Sequence, residues 1–104
     1  MPWVPLKGFE RSYEIRSESP HEIRKIKNQK ILSEYVDDSN GYVKVGLHGK
    51  NYYKHRLIAE QFIPNPKHYD CVDHINRNRT DNRIRNLRWC NYQMNNNNRK
   101  LPNK

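Results

Sequence analysis

The stretch "CVDHINRNRTDNRIRNLRWC", residues 71–90, sets one aspartate and one histidine ahead of a segment dense in arginine and asparagine. Its two ends read as short strands. "YDCVDH" carries Val72 as its apolar member. In "IRNLRWC", Leu87 and Trp89 share one face while Asn86 and Arg88 take the other, the period of two that marks an extended chain. Between them, Ile75 to Arg83 is too polar to bury and reads as a loop. Asn91 can then cap a helix running from Tyr92 to about Arg99. From residue 70 the expected order is strand, loop, strand, helix.

Upstream, "HRLIAEQFIPNP" changes texture. Leu57, Ile58, Gln61 and Phe62 fall near helical spacing and Pro64 stops the run, which predicts a short helix from about residue 55 to 62. Before it, Val43, Val45 and Leu47 alternate with Lys44 and Gly46, and "HGKN" turns the chain into "YYKH". Residues 41–55 therefore read as a hairpin, preceded by the turn "DDSNG" at Asp37 to Gly41. Residues 3–36 hold short apolar pieces, "YEI", "EIRKI" and "KIL", separated by Ser17, Ser19, Pro20 and Asn28; they read as two or three irregular strands. No internal repeat is present. The expected class is α+β, with a small β-rich module over residues 1–50 and a second unit over residues 51–104.

Composition bounds what such a chain can do. At 104 residues with 34% hydrophobic content, the apolar core must be thin, and a metal, a nucleic acid or another subunit can supply part of the order. The net charge is +9. Residues 51–104 hold eleven Lys and Arg against four Asp and Glu, so most of the excess lies in the half that carries Asp73 and His74. That density favours a polyphosphate partner, because each neutralised phosphate releases condensed counterion. A membrane surface would attract the same charge, but no amphipathic helix with a broad apolar face accompanies it. No apolar run approaches the roughly 18 residues a bilayer requires, and "MPWVPLKGFE" lacks a signal-peptide core, so a cytoplasmic protein is expected. Cys71 and Cys90 are too few for a disulfide framework or a four-cysteine zinc site. They read as small buried thiols flanking the motif, with a zinc site that borrows histidines as the alternative.

The ordered set is more specific than any piece of it. Asp73 and His74 are followed by Asn86, twelve residues after the histidine, and by Asn95, nine further on. "VDHIN…N…DN…NLRW…Q…N" resembles the HNH endonucleases, and within them the H-N-N variant of phage intron homing endonucleases, whose nuclease unit is the ββα-metal fold. "HRLIAEQFIPNP" resembles the helix that precedes that unit. "W…GFERSYEI", from Trp3 to Ile15, looks like the short N-terminal module often fused to it, so residues 1–50 are expected to contact DNA. The resemblance implies a phage-type DNA endonuclease that nicks or cleaves duplex DNA with a single metal ion, as a monomer on DNA or as a homodimer if both strands are cut. In it His74 would be the general base and Asp73 and Asn95 the ligands of Mg²⁺, with Mn²⁺ able to substitute. Asn86 would steady the loop and help orient the histidine ring.

These assignments suit phosphodiester hydrolysis, which needs an activated water, neutralised phosphoryl oxygens and help for the departing 3′ oxygen. An imidazole with a pKa near about 6.5 can accept a proton at neutral pH. A carboxylate and an amide oxygen are hard donors that suit Mg²⁺ and leave positions for water and phosphate. Since neighbours in a regular strand face opposite ways, Asp73 and His74 can address one phosphate only if the strand ends or distorts there. Duller roles stand beside these: a strand-end salt bridge for Asp73 and His74, a turn-capping amide for Asn86, and Asn96 as ligand in place of Asn95.

Arg77, Arg79, Arg83, Arg85, Arg88 and Arg99 surround the motif and can clamp phosphate, or form a solvated basic face. Lys44 and Lys54 interleave with Tyr52 and Tyr53 in a pattern that can follow a groove, although tyrosines at a hairpin end also close cores. His55 and Arg56 match the family's "HR", for which a structural or phosphate-contacting role is expected, with Arg56 placed on the nucleic-acid surface. One departure stands out: many relatives have an acidic residue and then glycine after "DHI", where this chain has Asn76 and Arg77. A tight turn there would force a positive φ on Arg77. That departure motivates the alternative reading, a catalytically inactive basic nucleic-acid-binding module on the same scaffold. The sequence also runs only a short way past the expected nuclease helix, so target specificity is expected to be low, or to come from the N-terminal module or a partner.

Overall fold

The computed structural model describes residues 2–91. In chain order the elements are β1 (Trp3–Pro5), β2 (Tyr13–Arg16), β3 (Ile23–Lys25), β4 (Glu34–Val36), β5 (Val43–Leu47), β6 (Lys50–Tyr53), α1 (Lys54–Phe62), β7 (Cys71–His74) and β8 (Leu87–Cys90). They form three antiparallel sheets, ordered β1-β2-β3, β4-β5-β6 and β7-β8. The expected helix from Asn91 to Arg99, together with Asn95, Asn96 and Arg99, lies outside the described residues apart from Asn91 itself.

Alternation decides which side of each sheet is wet. In β2, Tyr13 and Ile15 are buried, while Glu14 faces outward and pairs with Arg24, its partner in register on β3, at 2.8 Å. In β5, Val45 and Leu47 are fully buried and Gly46 between them is exposed. The turn into β5 is held by Asp37, whose Oδ1 accepts the Ser39 N–H at 2.9 Å and the Ser39 hydroxyl at 2.7 Å. Gly41 closes it at φ +79°, a conformation that costs glycine nothing. β5 returns as β6 through His48 and Gly49, both left-handed at φ +50° and +80°, the two-residue geometry that matches strand twist.

Helix α1 follows β6 without a linker and packs on both the β5-β6 hairpin and the β7-β8 pair. Leu57, Ile58 and Ala59 are its buried face and join Leu6, Ile15, Ile23, Val45, Leu47, Val72 and Leu87 in one apolar cluster. Pro64 ends the helix region, and the Trp89 indole N–H donates to the Ile63 carbonyl at 3.0 Å, which pins the helix exit to β8. The residues on either side of position 50 thus share a core, and the β5-β6 hairpin itself straddles that position.

Two expectations are corrected. The first part of the chain forms four strands, because β4 joins the β5-β6 hairpin instead of the N-terminal sheet. The strand expected from residue 84 begins only at Leu87, and Ile84–Asn86 form a 3₁₀ turn. There the Asn86 N–H bonds back to the Arg83 carbonyl at 2.9 Å, while its carbonyl receives the Ile75 N–H at 2.8 Å. The zinc alternative finds no support: among the described residues no three His, Cys, Asp or Glu side chains cluster as metal ligands. Cys71 and Cys90 are free thiols in register across β7 and β8, with Cys90 fully buried. No described helix is long and apolar enough to cross a membrane.

Candidate active site

Strand β7 ends on Asp73 and His74, which are 5% and 4% exposed. Their different partners follow from strand alternation. Asp73 lies opposite Arg88, whose Nε and Nη2 reach its Oδ2 at 3.2 and 3.1 Å. His74 lies opposite Leu87, and its ring reaches the loop, where Nε2 meets the Asn82 Oδ1 at 2.7 Å. Because that amide oxygen accepts, Nε2 carries the hydrogen and Nδ1 is the basic nitrogen.

The loop that carries Asn82 is built from short polar side chains bonding to nearby backbone. Asn76 Oδ1 accepts the Asn78 N–H at 2.8 Å, and Asn78 Oδ1 accepts the Thr80 N–H at 3.1 Å. Asn86 is the hub. Only 5% exposed, it accepts the Asn76 N–H at 3.0 Å and donates to the Asn76 Oδ1 at 3.0 Å and the Asp81 carbonyl at 2.8 Å. It therefore holds the loop shut at its base, and the bond to the His74 ring comes from Asn82. The Arg77 N–H returns to the His74 carbonyl at 2.9 Å, and this turn places Arg77 at φ +64°, so the tight turn forms although a non-glycine residue occupies it.

Two ring systems wall in the histidine. The His55 ring centroid is 4.8 Å from that of His74, and Tyr42 stacks on His55 at 4.8 Å and on His74 at 5.9 Å. Burial lowers the His74 pKa from its usual value; the Asn82 bond and the charges of Asp73 and Asp81 oppose that, while Arg79 adds to it. Burial acts more strongly on His55, pushing it down to about 3, with the neighbouring His74, Arg56 and Arg79 charges adding to the effect. His55 stays neutral at physiological pH, and its Nδ1 is buried with no hydrogen-bond partner among the described residues. Arg83 holds the Asp81 carboxyl well below the usual range.

The basic residues divide into three groups. Lys54 does not belong to the nucleic-acid surface: it is 2% exposed at the start of α1, where its ammonium pairs with Glu34 and donates to the Pro20 carbonyl at 3.4 Å. Several others are committed within the chain. Arg88 pairs with Asp73, Arg83 with Asp81 at 2.7 Å, and Lys44 with Asp37 at 2.6 Å. Arg56 donates to the Asp70 carbonyl at 2.8 Å and lies over Trp89, while Arg79 donates to the Asn40 carbonyl and lies over Tyr42. Arg77 and Arg85 stand on the exposed surface of the loop and the 3₁₀ turn. Sequence reasoning missed Asn82 and Tyr42. Asn82 had a signal, being the asparagine of the quoted "DN"; Tyr42 had none.

A buried Asp-His pair at a strand end, a loop clamped by an asparagine and a returning strand define the HNH class. Residues 52–97 match the profile of the HNH endonuclease family, and over that segment the chain resembles its members. The likeness is to phage homing endonucleases. The chain is 32% identical over 99 residues to the DNA endonuclease I-HmuI of Bacillus phage SP01, a match covering 91% of this chain and 55% of that protein. A solved structure described as DNA binding and cleavage by the HNH homing endonuclease I-HmuI superposes with a TM-score of 0.79 at 31% identity, covering all of this chain and 62% of that one. An uncharacterized HNH endonuclease of Acanthamoeba polyphaga mimivirus, L245, is 42% identical over 57 residues, 51% of this chain and 17% of that one. The chain thus spans about half the length of the phage relative.

Proposed function

We propose that the chain is a divalent-metal-dependent DNA endonuclease that nicks duplex DNA by phosphodiester hydrolysis, with His74 as general base. The observation that carries this reading is the His74 imidazole, buried at the end of β7 beside Asp73, with Nε2 committed to Asn82. The Asn82 bond holds the imidazole at the strand end, where it is placed to take a proton from an attacking water. Asn86 acts by fixing the loop from which Asn82 reaches the ring.

The donor chemistry fits a hard cation. Asp73 offers a carboxylate fixed in position by Arg88, and with the amide oxygen of Asn95 it would make two oxygen ligands of the kind Mg²⁺ takes, Mn²⁺ substituting. When bound, such an ion supplies positive charge to the phosphoryl oxygens and the leaving 3′ oxygen. Arg77 and Arg85, with residues of the 1–50 segment, hold the duplex backbone against this face. One chain carries one site, so a single-strand break is the unit event, and a double-strand break takes two chains or two encounters.

The test is relaxation of supercoiled plasmid in Mg²⁺ or Mn²⁺ by wild-type protein and His74→Ala. Wild type is expected to nick, and chelation or the substitution is expected to abolish nicking. Equal nicking by the two proteins would refute the assignment. The strained φ of Arg77 favours a second reading, a scaffold that binds DNA without cutting it. It requires strongly salt-dependent binding and no scission in any divalent ion.

A further inference from the structure

The turn between β4 and β5 reaches into the proposed site. Arg79, on the loop, donates to the Asn40 carbonyl, thirty-nine residues earlier in the chain. Its guanidinium carbon lies 4.7 Å from the Tyr42 ring centroid. Tyr42 is fixed from its own side as well: its N–H donates to Asn40 Oδ1 at 3.0 Å, and its ring meets Tyr53 edge-on at 5.3 Å. Asn40 in turn donates to the Tyr53 hydroxyl at 3.1 Å. Against this anchored ring stack both histidines, His55 at 4.8 Å and His74 at 5.9 Å, each with 28° between the planes.

The plane of an imidazole turns about a soft terminal torsion, on which the rings packed against it bear. The plane decides where Nδ1 points, and so whether a water can be met in line. Tyr42 stacks on the His74 ring at 28° while His55 meets it at a tilt of 55°, and His55 is itself held between Tyr42, Tyr53 and His74. We propose that Tyr42 and His55 are positioning residues for His74, setting the plane of its imidazole, and that Arg79 holds Tyr42 in place from the loop. Arg79 then serves the site through Tyr42 and not as a phosphate clamp. The inference rests on the reading of His74 as general base, and its test is arranged so that the two can fail separately.

The full chain carrying Tyr42→Leu or Tyr42→Phe is compared with wild type in three measurements: kcat and KM for plasmid nicking, Kd for duplex DNA in chelator, and the ¹⁵N–¹H signal of the His74 Nε2–H. Tyr42→Leu is expected to lower kcat by about 10- to 100-fold, the scale of a misplacement near 1 Å, with KM and Kd changed less than about twofold. Its Nε2–H signal is expected to broaden or vanish. Tyr42→Phe keeps the ring and is expected to keep both kcat and the signal. Arg79→Gln, at a partly exposed position, decides the matter should Tyr42→Leu not fold: the same N–H signal weakens and kcat falls with Kd unchanged. Retention of kcat and signal in the disruptive variants overturns the proposal, as does a fall in DNA affinity with kcat intact. If wild type nicks nothing, the nuclease reading fails alone, and the N–H signal still decides whether Tyr42 orders the ring.

Discussion

Replacing Asn86 with alanine removes three hydrogen bonds at once, those to the Asn76 N–H, the Asn76 Oδ1 and the Asp81 carbonyl, at 3.0, 3.0 and 2.8 Å. At about 1 kcal/mol net each, the ceiling on the loss is about 3 kcal/mol. Asn76 is exposed and its freed groups can find water, whereas the truncated side chain is 95% buried and leaves space behind. The expected cost is therefore about 2 kcal/mol, which for a domain of this size lowers Tm by about 10 °C. Thermal unfolding followed by near-ultraviolet dichroism reads the stability, and amide exchange of Asn76 reads the loop directly. Asn86→Asp sharpens the argument: a carboxylate can still accept from the Asn76 N–H but meets the Asn76 Oδ1 and the Asp81 carbonyl with a second acceptor. At pH 7 it is expected to be at least as damaging as alanine. A Tm within about 2 °C of wild type for Asn86→Ala, well under the shift a single lost bond predicts, with unchanged protection at Asn76, would show that Asn86 is not the clamp of the loop.

Three further outcomes follow from single residues. Arg77→Gly relieves the left-handed φ of +64° and is expected to raise stability by about 1 kcal/mol, seen as a Tm increase of about 5 °C, unless position 77 leaves that conformation in solution. His55 binds its proton more weakly folded, at about 3, than unfolded, near about 6.5. The unfolded chain therefore holds the extra proton between those values, so this contribution is complete above pH 6.5 and is lost as pH falls toward 3. The difference in unfolding free energy between wild type and His55→Phe should change with pH inside that window and stay flat above it; a flat difference throughout would show that burial does not depress the group. In DNA binding, Arg85→Ala is expected to reduce the slope of log Kd against log salt by about 1, while Lys54→Met leaves it unchanged, because only the exposed cation can displace counterions. A matching drop for Lys54→Met would put Lys54 back on the DNA surface.

What was legible in the sequence was what local chemistry decides. The turn at Asp37 to Gly41, the β5-β6 hairpin and α1 are all specified by residues within a few positions of each other, through Asx bonding, alternation and the stop at Pro64. Arg77 is different: its side chain argues against a tight turn, and the turn forms at φ +64° all the same. The 3₁₀ turn at Ile84–Asn86 could not be foreseen, because the alternation of Leu87 and Trp89 continues formally back through Arg85, and a tertiary demand, the closing of the loop on Asn76, overrides it. Lys54 misled for a similar reason: a lysine after two tyrosines looks solvated, and only Glu34, twenty residues away, makes its burial tolerable. The same distance hid Tyr42. Asn82 sits eight residues from His74 and was visible as part of the motif, but no spacing rule distinguishes an asparagine that bonds the ring from one that merely turns the chain.

The bond from Arg79 to Asn40 also bears on how relatives of this chain can be recombined. A graft made at residue 50 cuts β6 at its first residue, splits the β5-β6 hairpin and separates Tyr42 from the histidines it touches. A recipient would gain the Asp-His strand without the ring that braces it. A cut in the segment before Glu34 keeps the β4-β5-β6 sheet whole and carries Asn40 and Tyr42 with the loop of Arg79, and the core contacts of Leu6, Ile15 and Ile23 must then be rebuilt by the recipient. In that sense the smallest transplantable unit extends well upstream of the residues 52–97 that match the family profile.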